Sequence, residues 1–176
     1  MSLANDALAD PGTRRGPPID AGTGRPDTAR AARILAEAAA RGRADGLGYA
    51  GKVTPREAWE LASCGAALIV DVRTAEELHF VGRVPDALHV PWATGLAMTA
   101  NANFVAELEA VADKRMPVLF LCRSAKRSHA AAEAAARAGF RHAMNILEGF
   151  EGDLDGEKQR GKLGGWRIAG LPWLQD

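Results

Sequence analysis

The chain has 176 residues, 22 basic and 22 acidic side chains, a formal net charge of +0 and 47% hydrophobic residues. That balance gives the whole molecule no field with which to seek nucleic acid or an anionic membrane, and the length suffices for one domain with its own core. No apolar run approaches the roughly 20 residues a membrane-spanning helix needs, and the N-terminus lacks the apolar stretch of a signal peptide, so the expected location is cytoplasmic.

Residues 1–26 combine Gly12, Gly16, Gly22 and Gly24 with Pro11, Pro17, Pro18 and Pro26. They offer too little apolar surface to offset ordering entropy and read as a flexible tail. Over 27–46, Asp27 is a good N-cap, Ala, Arg and Glu follow, and Gly42 or Gly46 can end the element. This N-terminal helical extension has Ile34 and Leu35 as its only large apolar residues, so it is expected to dock lightly on the surface. The domain proper is assigned to 47–176.

Thr54 before Pro55 predicts a helix start, with Pro at the first helical position and an end near Ser63. Ala67-Leu68-Ile69-Val70 is a continuous apolar run, as in a parallel strand buried on both faces, and Asp71-Val72-Arg73 lies at its carboxyl end, where ligand crevices form. Thr74 can cap a short helix to Val81. Arg73 lies four residues before Glu77, and an exposed ion pair between them is expected to contribute only ~0.3–0.5 kcal/mol. After the turn Gly82-Arg83-Val84-Pro85 comes a short strand at Ala87-Leu88-His89-Val90, stopped by Pro91. A loop follows, then a crossover helix over 104–111 with Phe104, Leu108 and Val111 at helical spacing.

Pro117-Val118-Leu119-Phe120-Leu121 reads as a buried strand, and the alanine-rich run after Ser128 reads as a helix with Glu133 and Arg137 one turn apart. Cys122 therefore falls where a strand ends and a helix begins. The first turn of a helix leaves N–H groups unpaired and carries the positive end of the macrodipole. With Arg123, Lys126 and Arg127 beside them, these groups favour a negative charge on the sulfur and can cradle an anion. Gly139 ends the helix, residues 143–147 form the last strand, and 149–161 form a polar, glycine-rich loop. Trp166, Ile168, Leu171 and Trp173 are expected to pack back on the domain. The pattern is α/β: a mostly parallel central sheet of about five strands with helices on both faces.

With these residues in view, the segment from Val53 to Trp173 resembles a single-domain rhodanese, a member of the sulfurtransferase family. Asp71-Val72-Arg73 with Glu77 resembles the family's D-V-R followed by an acidic helix, and Gly82-Arg83-Val84-Pro85-Asp86-Ala87 with Pro91 is similar to its G-H-I-P-G-A segment. Cys122-Arg123-Ser124-Ala125-Lys126-Arg127-Ser128 resembles the active loop C-R-S-G-x-R-S, and Trp166 with Gly170-Leu171-Pro172 resembles the closing W-x-x-x-G-L-P. The chain departs from the pattern at Arg83 and Asp86 and at Ala125, where the family has glycine: harmless at negative φ, strained at positive φ. An extra charged stretch over about 153–164 is expected to overhang the site or serve a partner.

The resemblance implies a rhodanese-like fold and a reaction without metal or cofactor. Cys122 takes a sulfane sulfur from thiosulfate or a similar small anionic donor as a persulfide and passes it to a thiol or cyanide-like acceptor, or to a protein acceptor. In this scheme the loop amides stabilise the persulfide, and Arg123, Lys126 and Arg127 bind donor oxyanions. Ser124 and Ser128 offer hydroxyls, with helix N-cap the favoured role for Ser128. Asp71 and Arg73 support the loop from below.

Two other readings fit the same residues. A persulfide-carrying or partner-binding module with little small-molecule turnover would share the fold. A cysteine-dependent phosphatase or arsenate reductase would use the same strand, loop and helix, but Arg127 gives C-x4-R in place of C-x5-R, a ring better sized to a sulfur than to a phosphate. Among the remaining candidates, Cys64 reads as a turn residue, the four histidines as surface or packing groups, and Trp92 as core or pocket rim.

Overall fold

The computed structural model describes residues 28–175, so the expected tail over 1–26 and the Asp27 cap lie outside the described residues. The first half of the chain runs α1 (Thr28–Ala44), β1 (Gly51–Val53), α2 (Pro55–Ser63), β2 (Leu68–Asp71), α3 (Ala75–Val81) and β3 (Leu88–His89). The second half runs β4 (Ala93–Thr94), β5 (Thr99–Ala100), α4 (Phe104–Val111), β6 (Val118–Leu121), α5 (Lys126–Arg137) and β7 (Ala143–Ile146). The central sheet has five parallel strands in the order β1-β7-β6-β2-β3. The β4–β5 hairpin is a separate antiparallel pair within the stretch expected to be a loop.

Strand periodicity divides the core. Leu119 and Leu121 of β6 face one side of the sheet, with Met144 and Ile146 of β7, against α1, α2 and the C-terminal Trp166. Val118 and Phe120 face the other, against Phe104 and Leu108 of α4 and Ala131, Ala132 and Ala135 of α5. All four residues of β6 are buried, as a middle strand covered on both faces requires. Two helix starts use the same device. Thr54 and Thr74 each accept the N–H of the residue three positions on, and that residue, Glu57 or Glu77, returns its carboxylate to the threonine N–H.

The expectation of a lightly docked first helix is corrected. Ala31, Ile34 and Ala38 of α1 are buried in the core, and the helix lies directly against β1. The contact is made by backbone: a Cβ added at Gly51 would lie 2.1 Å from the Ala38 carbonyl oxygen. A helix can approach a strand this closely only where side chains are absent or small, so the interface carries little of the apolar bulk by which a buried helix is recognised.

The segment 153–164 is a set of turns organised by Asp155, whose carboxylate accepts the N–H groups of Glu157 and Gln159 and pairs with Lys162 at 3.0 Å. Leu154 and Leu163 on it stay exposed. Near the C-terminus, Leu174 donates its N–H to the Arg83 carbonyl and accepts the Arg83 N–H, which closes the chain onto the turn after α3.

Gly51→Ala should lower unfolding stability by about 1–3 kcal/mol, because the added methyl must push α1 off β1. Chemical denaturation checks this; an unchanged midpoint would show that α1 does not depend on the close approach.

Candidate functional site

β6 ends at Leu121, whose carbonyl accepts the Val72 N–H at 2.8 Å, and the chain leaves the sheet at Cys122. Cys122 and Ser128 are both buried, the cysteine 1% exposed. The Ser128 hydroxyl donates to the Cys122 Sγ at 3.2 Å. This corrects the favoured role for Ser128: α5 begins at Lys126, Ala125 occupies the cap position, and Ser128 lies inside the first turn with its hydroxyl on the sulfur. With Cys122 only 1% exposed, the sulfur is closed to solvent in this structure.

The loop is held from three directions. From the stretch after β7, Phe150 donates its N–H to the Cys122 carbonyl at 2.8 Å and Glu151 donates to the Arg123 carbonyl at 3.0 Å. Gly149 permits this grip: its φ is 71°, and a Cβ there would meet the Cys122 carbonyl oxygen at 2.5 Å. From β7 itself, Asn145 donates from Nδ2 to the Ala125 carbonyl at 3.2 Å. From α3, the Glu77 carboxylate accepts both terminal nitrogens of Arg127, at 2.7 and 2.6 Å. The turns of 153–164 join the same set, since Gly161 donates its N–H to the Glu151 carbonyl.

Arg127 has a partner on α3. Its guanidinium is engaged bidentately with Glu77, both side chains less than one-fifth exposed, which ties the loop to that helix. Burial pushes the Arg127 pKa down, but the hydrogen bonds and charge of Glu77, with the charges of Cys122 and Asp71, hold it above the ordinary value. The expected Arg73–Glu77 ion pair gives way to two other pairs. Arg73 is fully buried on Asp71, at 2.6 Å from Nη2 to Oδ2, donates to the Gly82 carbonyl, and lies with its guanidinium 4.0 Å from the Phe150 ring centre. Asp71 and Arg73 thus tie the end of β2 to the turn after α3, and Arg73 packs on Phe150, whose N–H holds the Cys122 carbonyl.

Arg123 and Lys126 are exposed, and among the described residues no ion pair engages either. Ser124 is half-buried on the same loop. A cleft of about 500 Å³ opens along the flank of the loop between Leu47, Tyr49, Lys52, Lys126, His129 and Asn145. Ala125 has φ 65° and ψ −3°, the left-handed conformation in which a side chain is strained. Asn145 and Tyr49 belong to no motif in the sequence, and a lone asparagine within the apolar run Ala143–Ile146 is the signal the chain offers.

Cys64 follows α2 near the amino end of β2, whereas Cys122 follows the carboxyl end of the parallel neighbour β6, and both thiols are free. The geometry thus sets the two at opposite ends of the sheet. His89 is bonded to the Arg73 carbonyl and His129 to Tyr49, and Trp92 packs edge-on against Phe104 in the core.

The rhodanese-like domain model matches residues 54–154. The chain belongs to this family. The rhodanese-like chain is 49% identical to Rv0390 from M. tuberculosis, whose crystal structure superposes with a TM-score of 0.65 over 73% of this chain and 99% of that one. It is 34% identical over 109 residues to the uncharacterized protein RP600 of Rickettsia prowazekii, covering 61% of this chain and 82% of that protein. It is also 26% identical over 121 residues to the thiosulfate sulfurtransferase GlpE of Actinobacillus succinogenes, covering 69% of this chain and 87% of that protein. Among the described residues no helix is long and apolar enough to cross a membrane.

Asp71→Ala should destabilise the rhodanese-like fold by about 3–5 kcal/mol, because Arg73 would remain buried without its counter-charge. Equilibrium unfolding measures this, and a loss under 1 kcal/mol would mean that the pair is replaceable. Glu77 yields a pH dependence. Burial pushes its carboxyl up, but hydrogen bonds from Arg127 and the Thr74 N–H, with the charges of Arg127 and Arg73, bring it below the usual carboxylate range. A group with a depressed folded pKa stabilises fully above its unfolded pKa and loses that contribution as pH falls through the folded value. Stability should therefore be flat near neutrality and decline on acidification below the usual carboxylate range, and Glu77→Gln should lower the neutral plateau and flatten the acid limb; an unaltered acid limb would assign the titration elsewhere.

Proposed function

We propose that this rhodanese-like domain is a sulfurtransferase that carries sulfane sulfur on Cys122. The observation that carries the proposal is the Ser128 hydroxyl donated to a sulfur set between the end of β6 and the first turn of α5. That hydrogen bond stabilises negative charge on the sulfur, and the start of α5 adds the positive end of its helix dipole beside it.

In the first half-reaction the Cys122 thiolate attacks the outer sulfur of thiosulfate. A new S–S bond forms, the donor's own S–S bond breaks, and sulfite leaves with the electron pair. In the second half-reaction cyanide or a thiolate attacks the terminal persulfide sulfur, and the Cys122 thiolate is released with the pair from the broken bond. No net oxidant or reductant enters, and the scheme is covalent catalysis with alternating half-reactions. Arg123 and Lys126, exposed on the loop, are the groups for donor oxyanions, and the flanking cleft is where an acceptor, small or protein-borne, approaches. Arg127 serves by holding the loop on Glu77.

One preparation assayed with thiosulfate and cyanide, and separately with an aryl phosphate, should form thiocyanate and release negligible phosphate; phosphate release in excess of thiocyanate would favour a phosphatase. Ser128→Ala should slow sulfur loading by about 10–100-fold, the range of one hydrogen bond to a charged group, with the fold intact by circular dichroism. Loading at the wild-type rate would remove Ser128 from the mechanism. Lys126→Ala should raise KM for thiosulfate with a smaller change in kcat, and equal losses in both would place Lys126 in the chemical step.

A further inference from the structure

Ala125 is the active-loop residue whose backbone is left-handed, at φ 65°. For an L-residue that conformation is disfavoured by a population factor of roughly 5–30, and alanine lacks the short polar side chain with which Asn or Asp supports itself there. Left to itself Ala125 would relax to negative φ and take the start of α5 with it. The surroundings must hold it.

Two donors converge on its carbonyl. One is the His129 N–H at 3.2 Å, the first bond of α5. The other is the Asn145 Nδ2, also at 3.2 Å, arriving from the neighbouring strand β7. Asn145 is 4% exposed and stands in register with Phe120 of β6, on the face of the sheet that otherwise packs α4 and α5 with apolar side chains. Its Oδ1 has no partner. A buried acceptor left unpaired is destabilising, so an apolar side chain would serve sheet packing better. The asparagine contributes something packing does not: a donor aimed at the one strained residue of the loop.

Tyr49 steadies the His129 attachment. Its hydroxyl lies 2.7 Å from the His129 Nδ1, and the two rings meet edge to face with centres 5.2 Å apart. Burial pushes the Tyr49 phenol up to about 12, with the charges of Glu133 and Asp45 adding and the Asn145 amide opposing. The phenol therefore keeps its proton at neutral pH, and its hydrogen bond with Nδ1 orients the ring of the residue whose N–H caps Ala125.

We infer that Asn145 is a positioning residue for Cys122: its amide clamps Ala125 in the left-handed conformation, and that conformation keeps the first turn of α5, with the Ser128 hydroxyl, folded onto the sulfur. Tyr49 acts through His129 on the same carbonyl. The inference rests on the sulfur-transfer reading only for its consequence in rate; the clamp itself is a property of the backbone.

The test is a double-mutant cycle with Asn145→Leu and Ala125→Gly, read by amide hydrogen exchange of residues 126–129 and by the rate of sulfur loading from thiosulfate. Asn145→Leu should speed exchange at the His129 amide at least about fivefold and slow loading by a similar factor. Adding Ala125→Gly should restore both to within about threefold of the Ala125→Gly single variant, because glycine holds a left-handed backbone without help. A purely structural asparagine would show no such rescue. Should Asn145→Leu fail to fold, Asn145→Ala, smaller and without the donor, enters the same cycle. Unchanged exchange in the asparagine variant, or a double variant as fast in exchange as Asn145→Leu, would overturn the inference. The expected exchange pattern in a protein that takes up no sulfur would support the clamp and contradict the sulfur-transfer reading alone.

Discussion

A short loop can aim groups at a sulfur only if its own backbone is fixed from outside, because the turn between Cys122 and Lys126 is too short to pack on itself. Here the fixing is distributed. Phe150 and Glu151 hold the carbonyls of Cys122 and Arg123, Asn145 holds that of Ala125, and Glu77 holds the side chain of Arg127. Each attachment comes from an element that follows the carboxyl end of a neighbouring strand or lies within one, so the order β7-β6-β2 is what brings them together. The parallel sheet is in this sense the tool, and the loop the part it holds.

The charges beside the sulfur divide by burial. Arg73 and Arg127, withdrawn from water and matched to Asp71 and Glu77, are structural, since an unpaired cation at those depths would be severely destabilising. Arg123 and Lys126, exposed on the loop, retain charge that an anion can use. Four cations close in sequence to the two motifs thus separate into two that brace the site and two that face its surroundings.

Much of this was legible in the residues. The continuous apolar runs at β2 and β6, the threonine caps at Thr54 and Thr74, and the helical spacing of Phe104 and Leu108 report local physics that tertiary structure did not override. The position of Cys122 followed from where a strand had to stop. What could not be read depended on long-range partners. Arg127 looks like a substrate ligand until α3 brings Glu77 to it, and Ser128 looks like a cap until the helix proves to begin at Lys126. The burial of α1 was hidden because Ala38, Gly42 and Gly51 make contact through backbone, which leaves only a thin hydrophobic stripe to find. The φ of Ala125 was posed as a condition by the sequence and decided by Asn145, whose importance a single chain shows only as a polar residue among apolar ones.

The central claim, that one buried sulfur on the β6–α5 loop is the carrier, is tested most directly by intact-mass and peptide mass spectrometry after incubation with thiosulfate. The account predicts a gain of one sulfur atom, mapped to the peptide containing Cys122 and discharged by cyanide, with Cys64 unmodified. No adduct, or an adduct that persists in Cys122→Ser, would contradict it.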